Sequence, residues 1–317
     1  MRRTLTLLLT VAATLAAQSI QPVNQAEAAK LFAPTAKVEK IASGLMFTEG
    51  PVWINADGGY LVFSDIPANE LKRWDAKGGV KTFRANSGQA NGNTLDLQGR
   101  LVTAEHSGRV SRTEKNGSVA AIAERVDGKR LSSPNDVVVK SDGSIWFTDP
   151  DYGLGQRPRE TPGNYVYRIA PNGTTITTVV THMERPNGLC FSPDERTLYV
   201  ADSGRPVHIR SFTVNANGTL SNSRAFVTLD KGAPDGIRCD QAGRIWSSSG
   251  DGVQIFLPNG TLVARILLPE SAANLAWGGP AGKTLYMTAR TSLFAVDTLV
   301  TAARRGVPAA ASAQPTK

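Results

Sequence analysis

Cysteine is almost missing from this chain. Only Cys190 and Cys239 occur in 317 residues, which excludes a disulfide-held scaffold. Histidine is nearly as scarce, with three residues, so a histidine-built zinc centre is not expected. Past the N-terminus no apolar run is long enough to cross a bilayer. The net charge is +8, but Lys72, Arg73, Arg84, Arg112, Arg157, Arg210 and Arg290 are scattered rather than clustered. That pattern describes solvated surface charge and gives no nucleic-acid footprint. No Gly-x-Ser-x-Gly elbow is present, which removes the serine-hydrolase route. Gly153-Leu154-Gly155 lacks the strand–turn–helix setting of a dinucleotide fingerprint. Glycine and proline, 30 and 18 residues, interrupt any long helical period.

The N-terminus differs from the rest. Arg2 and Arg3 precede LTLLLTVAATLAA, and Ala26-Glu27-Ala28 follows. A charged start, a short apolar stretch and an A-x-A-like site read as a secretory signal peptide over residues 1–28. The expectation is a periplasmic or secreted protein with no membrane attachment after cleavage. Residues 29–301 are then the folded unit. The tail 302–317, rich in Ala, Pro and Arg, is expected to be disordered. No feature of the sequence encodes an oligomeric state.

What the chain does have is a repeat. EGPVWINADGGYLVFSD, NGNTLDLQGRLVTAE, NDVVVKSDGSIWFTD, NGLCFSPDERTLYVAD, DGIRCDQAGRIWSSS and NLAWGGPAGKTLYMTA each hold two apolar runs around a turn. Outer strands such as ELKRWD and NYVYRIAPNG follow, most ending in Asn-Gly. Short strands repeating every 40–50 residues or so identify a propeller, here an all-β fold of six four-stranded antiparallel blades. Pairing AKVEKIAS near the N-terminus with TSLFAVDT in the last repeat would close the ring and leave no open edge. Four sequons, at Asn116, Asn172, Asn217 and Asn259, read as turn chemistry. The one long excursion, residues 149–164, is of the kind that borders pockets. Cys190 lies three residues after Asn187 and Cys239 four after Asp235. That offset points them to opposite faces of their strands, so two buried free thiols are expected.

Each repeat opens on a polar residue: Glu49, Asn91, Asn135, Asn187, Asp235 and Asn274. Any one alone reads as a turn former. Six in register would ring one end of the channel, and their oxygens suit a hard divalent cation. Calcium is the first candidate, with zinc, magnesium or manganese as alternatives. A second polar register lies at Asp65, Glu105, Asp149, Asp202 and Ser249. Backbone hydrogen bonding explains most of these. Asp202, bordering Asn187, is also a candidate base.

FTEGPVW, SSPNDVVVKSDGSIWFTDP, RPNGLCFSPDERTLYVADS and APDGIRCDQAGRIW together resemble the senescence-marker-protein/gluconolactonase, or regucalcin-like, family over about residues 40–297. The resemblance implies a six-bladed propeller with one divalent metal and hydrolysis of small sugar-type lactones. It implies Glu49, Asn135, Asn187 and Asp235 as metal ligands and Asn91 as a substrate contact. Gln89 stands where some members carry a substrate-holding arginine, and DPDYG replaces DPPYG or DPTYG. The implied reaction is metal-assisted ester opening with Asp235, or else Asp202, as general base. His106 and Asn274 are further candidates for holding substrate. A non-catalytic binding propeller, or a phosphotriesterase or acylhomoserine lactonase using the same site, are the alternatives.

Overall fold

A computed structural model of the chain describes residues 18–304. The apolar stretch assigned to the leader, and the tail from residue 305, lie outside the described residues.

The strands form six consecutive antiparallel blades around a channel. Blade one runs Thr48–Ile54, Tyr60–Asp65, Glu70–Asp75, Gly79–Ala85 from channel to rim. The inner strands of the others are Ala90–Leu95, Val137–Val139, Pro186–Phe191, Ile237–Cys239 and Asn274–Gly278. The expected closure is present. Glu39–Ala42 pairs antiparallel with Ser292–Asp297, Lys40 opposite Phe294, as the outer strand of blade six. The first blade is thereby joined to the last, and no edge is left where the ring begins.

The second strands are buried on both faces almost throughout, because each packs between neighbouring blades. In blade one, Val62 faces the seam with blade two, while Leu61 and Phe63 face the seam with blade six. In blade three, Phe147 and Trp146 divide in the same way between the seams with blades two and four. The core is therefore a set of seams between sheets, sealed by such pairs as Trp53 stacked on Tyr286, 5.3 Å apart.

Asn-Gly and Asp-Gly at the channel do more than turn the chain. Gly92 and Gly188 lie within inner strands, and each donates its N–H to the next blade, to Asn135 O at 2.7 Å and Asp235 O at 3.1 Å. A Cβ on Gly188 would lie 2.3 Å from Asp235 O. Glycine is required here by the close approach of neighbouring inner strands. The sequons behave as turns: Oδ1 of Asn116, Asn172, Asn217 and Asn259 each accepts the N–H two residues on.

On three points the structure adds to the expectations. Cys190 and Cys239 are two buried free thiols, as expected, on opposite faces of their own sheets, and those faces meet at the seam between blades four and five. Their sulfurs are 3.2 Å apart among buried apolar residues. The alternation argument was sound for one sheet and overlooked that facing sheets present opposite faces to each other. Residues 18–28, assigned to the leader, pack on the propeller. Ser19–Pro22 adds a fifth strand to blade five, and Ala28, closing the helix Gln25–Ala28, is buried. Residues 302–304, assigned to the tail, are also placed: Ala302 bridges Asp240, and Ala303 N donates to Cys239 O at 2.9 Å.

A chain begun at Ala29 loses the strand Ser19–Pro22. It should melt about 5 °C below a chain begun at Gln18, since the lost apolar contacts are worth about 2 kcal/mol. Differential scanning calorimetry of the two forms measures this.

Candidate active site

Five of the six ring residues reach one place. Glu49, Asn91, Asn135, Asn187 and Asp235 line a cavity of about 630 Å³ at one mouth of the channel, with His106, Gln89, Tyr152 and Ser203. A larger cavity, about 1240 Å³, lies under the N-terminal segment, but no carboxylate or imidazole lines it. The smaller cavity is the one with convergent chemistry.

Three ring side chains are delivered by the same device. Asp65 accepts the amides of Met46 and Phe47 at 3.2 and 3.0 Å. Asp149 accepts those of Ser132 and Ser133 at 2.9 and 2.7 Å. Asp202 accepts those of Glu184 and Arg185 at 3.0 and 2.8 Å, and Gly204 N as well at 3.0 Å. The second clasped amide lies two residues before Glu49, Asn135 and Asn187 respectively. A carboxylate gripping two successive amides fixes the loop, and the side chain two residues on is aimed by it. Asp202 is therefore removed as a base candidate. It is buried, outside the cavity lining, and its oxygens are spent on backbone.

Several polar groups at the cavity have one end held. Glu49 Oε2 accepts from Gly50 N at 2.6 Å and from Asn274 Nδ2 at 3.0 Å. Asn187 Nδ2 donates to Ser203 Oγ at 3.0 Å, which donates on to Pro234 O at 2.6 Å. The Asn187 side chain also favours the charged form of the Asp235 carboxyl. Asn91 Nδ2 pairs with His106 Nε2 at 3.0 Å. An Asn donor assigns the acceptor role to Nε2, leaving the Asn91 carbonyl for the cavity. Burial, with Arg157 nearby, holds the His106 imidazole down at about 4, so it is neutral. The 149–164 excursion borders the cavity as expected, with Tyr152 and Gly153 in its wall. Gly153 sits against the His106 ring, where a Cβ would lie 2.3 Å from the ring's Cγ. Gln89 holds a left-handed φ of 54°, a conformation that costs a non-glycine residue energy and clusters at functional sites.

Asn274 is not in the cavity wall. It is buried behind Glu49, donating to it and, at 3.4 Å, to Asp136 Oδ2. Its role is to position a carboxylate, and the expectation that it holds substrate is replaced.

The sequence reading missed Asp136 and Arg238. Arg238 Nη1 donates to Asp136 Oδ2 at 3.1 Å and to Ile237 O at 2.7 Å, bridging blades five and three beneath the cavity. Arg238 was findable as a lone charge inside the apolar inner strand of DGIRCD. Asp136 was hidden beside the more conspicuous Asn135.

These groups give the test for an implied metal. Burial and then the charge of Asp136 push Glu49 up to about 7. Burial, followed by the charges of Glu49 and Asp136, pushes Asp235 well above the usual carboxylate range. Were all three carboxylates ionised, two of their charges would lack a partner, since Arg238 pairs with Asp136 alone, and the raised proton affinities of Glu49 and Asp235 express that crowding. The cavity offers oxygen donors from Glu49, Asn135, Asn187 and Asp235. A divalent cation fits both the charge and the donor chemistry.

A six-bladed propeller with a carboxylate-and-amide cluster at its channel mouth defines the class of propeller lactone hydrolases. A family model described as "SMP-30/Gluconolactonase/LRE-like region" matches residues 47–291, and the chain belongs to that family. It is 32% identical to a gluconolactonase of Zymomonas mobilis, over 82% of this chain and 81% of the relative. It is 30% identical to the pentonolactonase XacC of Haloferax volcanii, over 76% and 80%. The solved structure of a gluconolactonase from Xanthomonas campestris superposes with a TM-score of 0.83 at 35% identity, covering 88% of this chain and 94% of that one.

Arg238→Met should lower stability by about 3 kcal/mol, because it leaves buried Asp136 unpaired. Denaturant unfolding measures it, and added divalent cation should restore part of the loss. A second outcome concerns acid. The His106 pKa lies below its unfolded value of 6.5, so the unfolded state binds more protons between about pH 4 and 6.5. Its contribution to stability is complete above that window and falls as pH drops through it. His106→Gln should flatten that part of the stability–pH curve.

Proposed function

We propose that this protein opens small sugar-type lactones, gluconolactone and pentonolactone being the first to assay, outside the cytoplasm and with one bound divalent cation. The observation carrying the reading is the convergence of Glu49, Asn135, Asn187 and Asp235 on one cavity, with a further carboxylate, Asp136, paired to Arg238 behind it. The relatives at 30–32% identity supply the bond class. Export is supported by Arg2, Arg3 and the apolar stretch after them. Because residues 18–28 pack on the propeller, cleavage just before Gln18 fits better than cleavage after Ala28.

A cation held by those four residues, calcium by the oxygen-only donor set, supplies Lewis-acid polarisation of the lactone carbonyl and compensates the buried charge. The chain's own residues do the rest. Asp235, half-buried at the cavity, removes a proton from water as its oxygen bonds to the carbonyl carbon. The ring C–O bond then breaks, and the proton returns to the leaving alkoxide to give the open-chain hydroxy acid. Asn91, oriented by neutral His106, presents its carbonyl to a substrate hydroxyl, and Gln89 lies beside it. Phe47, Ile66, Pro67 and Pro234 give the cavity apolar walls that limit bulk water. Arg238 and Asn274 hold the carboxylates from behind.

Asp235→Asn should lower kcat by about 10³-fold, the span of a lost general base. Asn91→Ala should raise KM about tenfold with kcat nearly unchanged, as for lost uniform binding. A steady-state lactone panel with chelator and metal add-back measures both. Full activity after exhaustive chelation, or a near-normal kcat for Asp235→Asn, refutes the mechanism. No turnover of any lactone by metal-loaded protein would favour a phosphotriesterase or binding role. Intact mass of the exported protein locates the mature N-terminus.

A further inference from the structure

The seam between blades four and five contains the chain's only two sulfhydryls, and they touch. Cys190 Sγ and Cys239 Sγ are 3.2 Å apart, 49 residues apart in sequence. Both are buried among Tyr199, Ile209, Ile237 and Phe256. Among the described residues no third Cys, His, Asp or Glu side chain groups with this pair. The strands bearing the cysteines are already joined through Gly188 N and Asp235 O at 3.1 Å. Closing the remaining gap of roughly 1 Å to a sulfur–sulfur bond needs small side-chain rotations rather than movement of sheets.

We propose that Cys190 and Cys239 form an intramolecular disulfide that staples blade four to blade five. The bond would tie together the two strands that carry Asn187 and Asp235, three and four residues before the respective cysteines. The oxidant is a low-molecular-weight disulfide or a thiol–disulfide exchange protein. One cysteine thiolate attacks the external disulfide and displaces one external thiolate, giving a mixed disulfide. The second cysteine thiolate attacks the protein sulfur of that bond and displaces the other. The protein loses two protons and two electrons, and the oxidant becomes two thiols. Burial raises the Cys239 thiol well above its ordinary range, so exchange occurs while the seam is open, during folding or sub-global opening. Once the seam closes, the same burial shields the bond from reductant.

The test uses the full chain, refolded with oxidised glutathione and in parallel with a phosphine reductant. Each sample is then denatured, alkylated with iodoacetamide and weighed. The oxidised protein should take up no alkyl groups and the reduced protein two, with a Cys190–Cys239 cross-linked peptide in the oxidised digest. The oxidised form should melt about 5 °C higher, and the Cys190→Ser, Cys239→Ser double variant should show no such difference. Native protein treated with oxidised glutathione in sub-denaturing urea gives the same readout if refolding fails. Two alkylated cysteines after oxidation, a disulfide-linked dimer, or an oxidised form melting no higher than the reduced one would overturn the proposal.

Discussion

A carboxylate that grips two successive backbone amides is the interaction on which this site rests. Asp65, Asp149 and Asp202 each sit at the outgoing end of a second strand, buried. Each turns its two oxygens onto the loop about to enter the channel. A loop cannot otherwise hold a side chain steady, because its amides would find solvent instead. Satisfying both at once with a charged acceptor fixes the last residues before the inner strand. The side chains of Glu49, Asn135 and Asn187 inherit that fixity. Blade five departs from the pattern: Ser249 replaces the aspartate, and Asp235 N is met instead by Ser248 Oγ at 3.2 Å. The residue proposed for the proton transfer is thus the one candidate ligand not held by a carboxylate clasp.

Hydroxyls on the second strands carry this order around the ring. Ser64 Oγ donates to Asn91 O at 2.6 Å and Thr148 Oγ1 to Asn187 O at 2.8 Å, so the backbone of one blade's ring residue is set by its predecessor. Beneath this ring, Arg238 and Asp136 close the channel with an ion pair. The cluster above them crowds carboxyl groups of one sign, and each raises its neighbour's affinity for protons.

Much of this was legible in the sequence, and the failures share a cause. Period-2 alternation, turn chemistry and the recurring polar opener gave six blades, their closure and the convergence of Glu49, Asn135, Asn187 and Asp235. Those signals are local, or repeat at a fixed interval. What alternation does not carry is the relation between different sheets. That relation decides that Cys190 meets Cys239, that Asp202 turns away from the cavity, and that Asn274 backs Glu49 rather than facing substrate. Packing at the N-terminus was hidden for a related reason: Ala26-Glu27-Ala28 has the composition of a cleavage site, and its contact with the propeller is not visible in the sequence.

The closure of the ring bears on when a working site can exist. All four candidate ligands are encoded between residues 49 and 235, yet Glu49 is oriented by Asn274. Its neighbour Thr48 is tied to Arg290 O at 2.7 Å and Ser292 O at 3.2 Å. Blade six itself waits for Glu39–Ala42 to return as its outer strand. A nascent chain with every candidate ligand already synthesised therefore holds an incomplete centre until most of the roughly eighty residues after Asp235, of 317, have been added and the ends have met. Completion of the candidate site waits on closure of the whole circle.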